Sequence, residues 1–201
     1  MRVMLPDATS TSRSCGRMTL HSACGCALTA ESISLRPERV KTGTHDMPKD
    51  EFRFHFRLRV RWSEADPQGI VYNARYLDYL EIAQSEYYRN LGILLYDEAR
   101  RKYFDTATVR ITVEFKAPAR VDEFLEIYSR VAAIGSTSMT QRTEIYRDGT
   151  DELLSTGETV YVDYDSEKEA PRVVPDDVRK LVEHFEQTGE VLPIGRFPNL
   201  A

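Results

Sequence analysis

A carboxylate held in a turn shortly before a helix is the feature of this sequence that points most directly to chemistry. In WSEADPQGIVYNARYLDYLE, residues 62–81, Asp66 is followed by two typical turn residues, Pro67 and Gly69. A helix is predicted to start directly after Asn73, and the first N–H groups of a helix have no intrahelical acceptor. Such donors can hold a developing oxyanion, and a carboxylate beside them can attack a carbonyl or activate water. The pattern predicts acyl transfer to water by Asp66 and the Asn73 N–H.

A thioester suits such a site, because thiolate leaves readily and needs little help from an acid. The residues alone leave open that Asp66 only shapes its turn or caps the helix. Tyr72 is expected either to line an acyl pocket or to anchor the helix on a sheet. Arg75 opposes the helix dipole, so we expect a salt bridge to Asp78, with a substrate anion as the alternative partner. Gln84 lies within the apolar helix face and is expected to bond to backbone, with substrate contact as the alternative.

Signatures of other enzyme classes are absent from the sequence. It contains neither the G-x-S-x-G pattern of serine hydrolases nor the nucleotide-binding patterns G-x-x-x-x-G-K-[ST] and G-x-G-x-x-G. The zinc pattern H-E-x-x-H is missing, the histidines are scattered, and the pair Cys24 and Cys26 is too weak a signal for a metal site. We therefore predict neither a metal nor a cofactor.

Composition predicts one domain with a packed core and a tail. The chain has 201 residues, of which 41% are hydrophobic and 29% charged. Its net charge of −5 argues against nucleic acid as the main partner. No apolar run approaches the roughly 20 residues of a membrane-spanning helix, so no membrane association is expected. Because Cys15, Cys24 and Cys26 all precede the region that looks folded, we expect a reducing compartment, the cytoplasm.

The chain is predicted to divide near Met47. Residues 1–46 show neither a helical nor a strand period. They are expected to form an unstructured or poorly ordered N-terminal extension, with a transit-like leader as the alternative. Residues 47–201 are expected to form the folded domain.

The first half of that domain predicts one strand and one long helix. Apolar and basic residues alternate over 52–62, which predicts a strand with its even-numbered side chains buried. A helix is predicted over 74–91, with Asn73 as N-cap and Gly92 as the C-terminal stop. Its buried face is expected to consist of Tyr76, Leu77, Leu80, Ala83, Tyr87 and Leu91.

The second half predicts a short helix, four strands and a terminal helix. Turns are expected at Gly135-Ser136 and Asp148-Gly149. Strands joined by tight turns, with a long amphipathic helix to cover, predict an α+β fold whose curled antiparallel sheet wraps around the helix. The first strand and the last strands are expected to form the exposed edges of the sheet. The expected ranges are 94–102 for the short helix, 109–115, 124–134, 137–147 and 153–164 for the strands, and 175–187 for the terminal helix.

The segment ADPQGIVYNARYLDYLE, residues 65–81, resembles the signature of the 4-hydroxybenzoyl-CoA thioesterase group of hotdog-fold acyl-CoA thioesterases. The likeness continues more loosely through VEFKAPARVDEFLEI, residues 113–127. It implies a hotdog fold, an acyl-CoA substrate, and homodimers or homotetramers with active sites between subunits. It places the catalytic aspartate at Asp66 and the oxyanion N–H at Asn73. The substrate contacts that it implies fall on Gly69, Ile70, Val71, Tyr72, Thr137 and Ser138.

Departures from the family pattern leave alternatives open. Many relatives have His at the position of Asn73, so Asp66 and backbone donors would have to carry hydrolysis here. Residues 135–138 lack the basic side chains that some relatives direct at the CoA phosphates, so acyl-carrier-protein thioesters are an alternative substrate. Glu81 is a second candidate carboxylate, because another hotdog group uses a helix glutamate, but that group's His-Gly-Gly stretch is missing and a surface role is expected. A hotdog protein that binds acyl thioesters without hydrolysis is the alternative from another class.

Overall fold

The computed structural model describes residues 48–200, so the prediction for residues 1–46 lies outside the described residues. Within that part, a strand and a long helix are followed by four long strands and a second long helix. Short 3-10 helices span Lys49–Glu51, Trp62–Glu64 and Ile194–Arg196. In chain order the other elements are β1 (Phe54–Arg59), α1 (Arg75–Asn90), α2 (Glu98–Arg101), β2 (Thr106–Phe115), β3 (Phe124–Ile134), β4 (Ser138–Arg147), β5 (Leu153–Asp165), β6 (Ala170–Pro171) and α3 (Asp176–Thr188).

Five strands form one antiparallel sheet in the order β1-β3-β4-β5-β2, and β6 pairs with the end of β5. The predicted turns join neighbouring strands. The N–H of Gly135 donates to the carbonyl of Ser138 between β3 and β4, at 2.7 Å. Gly149 has a φ of 70° between β4 and β5, a conformation that glycine adopts readily. The prediction of an α+β fold with a curled antiparallel sheet around a long helix is confirmed.

α1 lies across the sheet and approaches it very closely. Tyr79 and Ala83 of α1 are fully buried among apolar side chains of the sheet. Gly157 of β5 lies directly under Leu80, because a Cβ placed at Gly157 would be 2.5 Å from Leu80 Cδ2. The absence of a side chain at Gly157 therefore leaves the space that the Leu80 side chain of α1 occupies.

The end of α1 is as predicted, and its start is not. Gly92 follows the last turn with a φ of 83° and its N–H donates to the carbonyl of Arg89. At the start, Ala74 holds the N-cap position and makes no side-chain capping bond. The prediction of Asn73 as N-cap is therefore wrong. The first helical N–H, that of Arg75, instead donates to the carbonyl three residues earlier, in a tight turn.

The buried surface of α1 is wider than the single predicted face. Tyr79 and Tyr88 are fully buried, whereas Leu77, predicted to be buried, is 43% exposed. Tyr88 packs edge-on against Phe104, in the same cluster as side chains of α3. Its hydroxyl also reaches the sheet, where it lies 3.3 Å from Sδ of Met139 in β4, so Tyr88 is buried between the sheet and Phe104. No helix of residues 48–200 has the length and apolar character needed to cross a membrane.

Two predicted elements are shorter in the structure. β1 ends at Arg59, and Trp62 begins a 3-10 helix with its side chain 85% exposed, so the prediction that Trp62 is buried is wrong. In the sequence, apolar and basic residues continue to alternate as far as Trp62, although the strand ends at Arg59. The short helix covers only Glu98–Arg101, because the Asp97 side chain accepts from the N–H groups of Ala99 and Arg100 and so fixes its start.

The edges of the sheet are β1 and β2. The prediction that the last strands form an edge is wrong for β5, which is flanked by β4 and β2. The reason is a non-local pairing, since β2 precedes β3 in the chain and yet pairs with β5. β2 is the edge with large apolar side chains, since Val109, Ile111 and Phe115 are 59%, 40% and 53% exposed.

Candidate active site

Residues 65–71 form a tight hairpin that holds Asp66 in its turn. Ala65 pairs with Val71 across the hairpin. The N–H of Asp66 donates to the carbonyl of Ile70, and the N–H of Gly69 donates to the carbonyl of Asp66, both at 2.9 Å. Gly69 has a φ of 75°, which favours glycine. The turn that Pro67 and Gly69 predict is thus present, and it fixes the backbone of Asp66.

The Asp66 side chain is half-buried and oriented by its own turn. Oδ1 accepts a 2.8 Å hydrogen bond from the N–H of Gln68. No Lys, Arg or His side chain forms an ion pair with Asp66 within residues 48–200, and no hydrogen bond to Oδ2 is found there. A carboxylate that is held in place but not neutralised is suited to act as a nucleophile or a base.

Free backbone donors lie at the start of α1. The N–H groups of Val71 and Tyr72 donate to the carbonyls of Ala119 and Glu64, each at 2.9 Å. The next two N–H groups, those of Asn73 and Ala74, have no hydrogen-bond acceptor among the described residues. They lie at the positive end of the helix dipole, where an anion is stabilised.

A cavity of about 470 Å³ brings the carboxylate and the helix start together. Five predicted site residues line it, and Gly69 lies in the adjoining turn. Tyr72 is 52% exposed along the cavity, so it does not anchor the helix on the sheet. The walls consist of Asp66, Gln68, Ile70, Val71, Tyr72, Asn73 and Tyr76 on one side and Phe115, Lys116, Ala117 and Pro118 on the other.

The second wall, residues 115–118, was not predicted as part of the site. The hairpin reaches it through two backbone contacts: Val71 bonds to Ala119, and Ile70 forms a bridge with Arg120. The ring of Phe115 packs edge-on against Tyr76, with centroids 5.1 Å apart. A hint in the sequence was Pro118 directly after a strand, but only the long-range pairing shows that this turn meets the hairpin.

Thr137 and Ser138 do not reach this cavity within one chain. Ser138 pairs with Val162 of β5, and the next residue of β5, Asp163, pairs with Thr106 at the start of β2. Ser138 therefore lies level with the start of β2. The cavity lies at the other end of β2, beside Phe115. A strand of this length spans roughly 30 Å at about 3.3 Å per residue. Substrate contact by these two residues stays a prediction, and it would have to come from a second subunit.

The remaining candidates lie outside the cavity. Glu81 is exposed and lines a separate cavity of about 340 Å³ between α1 and the start of β2. Gln84 borders that second cavity and donates to Oγ1 of Thr106 at 3.0 Å, so its partner is a side chain and not the backbone. Arg75 Nη1 lies 2.9 Å from Oδ2 of Asp78, which confirms the expected salt bridge.

The sequence pattern of the Thioesterase-like superfamily matches residues 60–182. The chain belongs to this superfamily. The matched region contains the hairpin, the start of α1 and the second wall of the cavity. Membership confirms the prediction of a thioesterase-type enzyme with a hotdog fold.

Individual relatives agree with this assignment. The acyl-CoA thioester hydrolase YbgC of Escherichia coli O6:H1 is 31% identical over 135 residues, covering 67% of this chain and 96% of the relative. A thioesterase from Thermus thermophilus, solved with coenzyme A and Zn, has a TM-score of 0.59 at 22% identity and covers 69% of this chain and 98% of its own. A 1,4-dihydroxy-2-naphthoyl-CoA thioesterase from Synechocystis has a TM-score of 0.59 at 18% identity, over 63% and 93% of the two chains. These two structures share the fold of this chain.

Proposed function

We propose that this chain is an acyl-CoA thioesterase of the 4-hydroxybenzoyl-CoA thioesterase group, which hydrolyses an acyl-CoA to a carboxylic acid and CoA. The observation that carries the proposal is the shared cavity. The Asp66 carboxylate, with one oxygen unpartnered among the described residues, and the free N–H groups of Asn73 and Ala74 belong to residues at the same opening. The identity with the YbgC relative supports CoA as the thiol carrier.

In the proposed mechanism, the N–H groups at the start of α1 bind the thioester carbonyl oxygen. Negative charge develops on this oxygen as the carbonyl carbon becomes tetrahedral. The donors are fixed by the helix and the hairpin, so they stabilise that charge without reorganising. Asn73 contributes through its backbone, which explains how a position that holds His in many relatives can hold Asn here.

Asp66 supplies the attack by one of two routes. As a nucleophile, its free oxygen bonds to the carbonyl carbon, the C–S bond breaks, and the CoA thiolate leaves with the electron pair. Water then hydrolyses the resulting anhydride and restores the carboxylate. As a general base, Asp66 removes a proton from water while the water oxygen attacks, and the proton passes to the thiolate. Both routes require the negative charge of Asp66.

The acyl group is proposed to lie in the apolar part of the same cavity. Tyr72, Tyr76 and Phe115 line this part with aromatic rings. Rings of this kind offer a large apolar contact area to an acyl chain or to an aryl group. This lining is compatible with the aryl-CoA substrates of the proposed group.

A second copy of the chain is proposed to cover the β2 edge. An exposed sheet edge with large apolar side chains tends to pair with another strand. Pairing of two β2 strands about a two-fold axis would bury Ile111 and Phe115 and create two equivalent sites, in a homodimer or in a tetramer of such dimers.

The proposal is tested by measuring thiol release from matched substrates. The purified protein is assayed with short-chain, long-chain and aryl acyl-CoA, and with the same acyl groups on an acyl carrier protein. We expect turnover of at least one acyl-CoA at a higher kcat/KM than its carrier-protein counterpart. A higher kcat/KM with the carrier-protein thioester would show that the substrate is an acyl carrier protein thioester and not an acyl-CoA. Tight binding of acyl-CoA without thiol release would contradict hydrolysis and favour a binding protein.

A further inference from the structure

A second acidic residue, Glu64, is buried two positions before Asp66. Its side chain is only 11% exposed. Oε2 accepts a 2.9 Å hydrogen bond from the hydroxyl of Tyr79 and a 2.7 Å hydrogen bond from the N–H of Arg61. Oε1 lies 3.9 Å from Nε of Arg61 at the protein surface. The carboxylate thus joins α1, through Tyr79, to the 3-10 helix that leads into the hairpin.

The backbone of Glu64 joins the other end of the same hairpin. Its carbonyl accepts a 2.9 Å hydrogen bond from the N–H of Tyr72. Tyr72 directly precedes Asn73, the first free donor of the helix start. Glu64 is therefore connected to both strands of the hairpin. It directly precedes the strand that contains Asp66, and it bonds to Tyr72, which lies between the second strand and the proposed oxyanion donors.

A carboxylate is an expensive residue to place here if only packing is needed. Transferring it from water costs several kcal/mol, and well-packed apolar residues of similar size are often as stable. Tyr79 is fully buried, and burial, followed by its hydrogen bond to Glu64, raises its pKa. Its hydroxyl therefore stays protonated and keeps donating at every pH at which enzymes ordinarily work.

We propose that Glu64 and Tyr79 form a positioning pair, which fixes the Asp66 turn and the Asn73 N–H relative to each other and to α1. The pair contacts neither the substrate nor the reacting atoms. This inference rests on the proposed thioesterase function. A rigid link between the Asp66 carboxylate and the oxyanion donor matters because a misplacement of about 1 Å can reduce the rate on the order of 10²-fold.

Three variants separate positioning from charge. Tyr79→Phe removes one oxygen and hence the donor to Glu64. Glu64→Leu removes the acceptor. Glu64→Gln keeps an oxygen that can accept from both Tyr79 and Arg61 but removes the negative charge. We expect kcat to fall by roughly 10- to 100-fold in Tyr79→Phe and Glu64→Leu, with KM within a few-fold, and Glu64→Gln to retain most of the kcat.

The chain contains a matched control on the same helix. Tyr87 is also fully buried, and its hydroxyl donates a 2.6 Å hydrogen bond to Oε1 of Glu186, whose side chain is 11% exposed. Tyr87→Phe therefore removes the same type of bond eight residues further along α1, away from the hairpin. It is expected to lose a comparable amount of stability and to keep its kcat.

Kinetics and a second readout together decide the proposal. If folded Tyr79→Phe keeps its kcat, or if Tyr87→Phe loses as much kcat, the Glu64–Tyr79 pair contributes only to packing and the proposal is wrong.

If the wild type hydrolyses no thioester, the proposed function fails, and amide NMR still tests the pair. The signals of Asn73 and Ala74 should shift in Tyr79→Phe and not in Tyr87→Phe, and no shift would overturn the inference. Should Glu64→Leu not fold, Tyr79→Phe, which removes a single atom, carries the test.

Discussion

Oδ1 of Asp66 accepts a 2.8 Å hydrogen bond from the backbone N–H of Gln68, so the carboxylate is tied to its own turn. The side-chain oxygen of an asparagine can accept the same bond, because Asn and Asp both form turns in which the side chain bonds to the backbone two residues on. The structure therefore offers a substitution that removes the charge of residue 66 and leaves its local hydrogen bonding in place.

Asp66→Asn should abolish most of the catalysis without unfolding the protein. We expect kcat to fall by about 10² to 10⁴, the range typical of losing a general base, and by more if Asp66 is a nucleophile. KM should change little, because the charge acts in the transition state. Steady-state kinetics on the preferred acyl-CoA and a urea midpoint measure the two effects.

Glu81→Gln, which changes an exposed carboxylate of α1, serves as the control and should stay active. An active Asp66→Asn variant with an inactive Glu81→Gln variant would move the chemistry onto the helix.

Gly157→Ala should destabilise the fold by displacing the buried Leu80 side chain of α1 from its place against β5. The new Cβ would lie 2.5 Å from Leu80 Cδ2, which is far inside van der Waals contact. Overpacking of this kind typically costs about 1–3 kcal/mol of unfolding free energy. Urea denaturation measures the loss. Gly195→Ala is the control, because no atom lies within 4 Å of its Cβ position. Leu80→Ala should reduce the effect of Gly157→Ala, and full additivity of the two changes would contradict the clash.

The local features of the fold could be read from the sequence, since each depends on residues close in the chain. Gly149 predicts the β4–β5 turn, Gly92 the end of α1, and Pro67 with Gly69 the turn that holds Asp66. Each of them requires only a backbone conformation that its residue type favours. The polar residues at the start of α1 were interpreted less well, since Asn73 lies one position before the N-cap.

Features that depend on distant pairing could not be read in this way. Burial of Tyr88 requires contacts with Phe104 and with Met139 of β4, and neither residue is close to Tyr88 in the chain. The second wall of the cavity requires the bond from Val71 to Ala119. Exposure of Trp62 follows from the backbone turning out of β1, while the apolar alternation in the sequence runs on unchanged. No periodicity within one segment contains this information.

Buried tyrosines should make the fold sensitive to alkaline pH. Burial raises the pKa of Tyr87 and of Tyr88, and it raises the pKa of Tyr161 to about 12. Above about pH 10 these side chains lose their protons in the unfolded state but not in the folded state. Their contribution to stability is therefore complete below about pH 10 and is lost as the pH rises, through about 12 for Tyr161. Each such tyrosine lowers the free energy of unfolding by about 1.4 kcal/mol per pH unit in that window.

Urea midpoints between about pH 8 and about pH 11 test this prediction. Tyr161→Phe should make the decline of stability with pH shallower. Tyr72→Phe, which removes the hydroxyl of a tyrosine that is 52% exposed, is the control for the substitution itself. Stability that stays constant up to about pH 11 would contradict the expected direction of the pH dependence.

Residues 1–46 should be dispensable for folding and activity. Their sequence shows neither a helical nor a strand period, so we expect no contribution from them to a packed core. A protein starting at Met47 also keeps Lys49, whose Nζ donates to the carbonyl of Thr150 at 2.6 Å. We expect its melting temperature to match that of the full chain and its kcat/KM to be unchanged. A loss of more than about 1 kcal/mol, seen as a drop of roughly 2–4 °C, would show that the extension contributes to the fold.

A charge on the β2 edge should separate the proposed subunits. Ile111 is 40% exposed on this edge, and placing a cation there opposes both strand pairing and burial of the apolar surface. Light scattering at micromolar concentration should show a dimer or tetramer for the wild type and a monomer for Ile111→Arg. Val173→Arg introduces the same charge at a valine that is 65% exposed outside β2, and this variant should assemble normally.

Because the substrate site is proposed to lie between subunits, the Ile111→Arg monomer should also lose activity. Increasing the protein concentration should restore part of that activity by mass action. A monomer with full activity would show that one chain holds the complete site, and Thr137 and Ser138 would then have no route to the substrate.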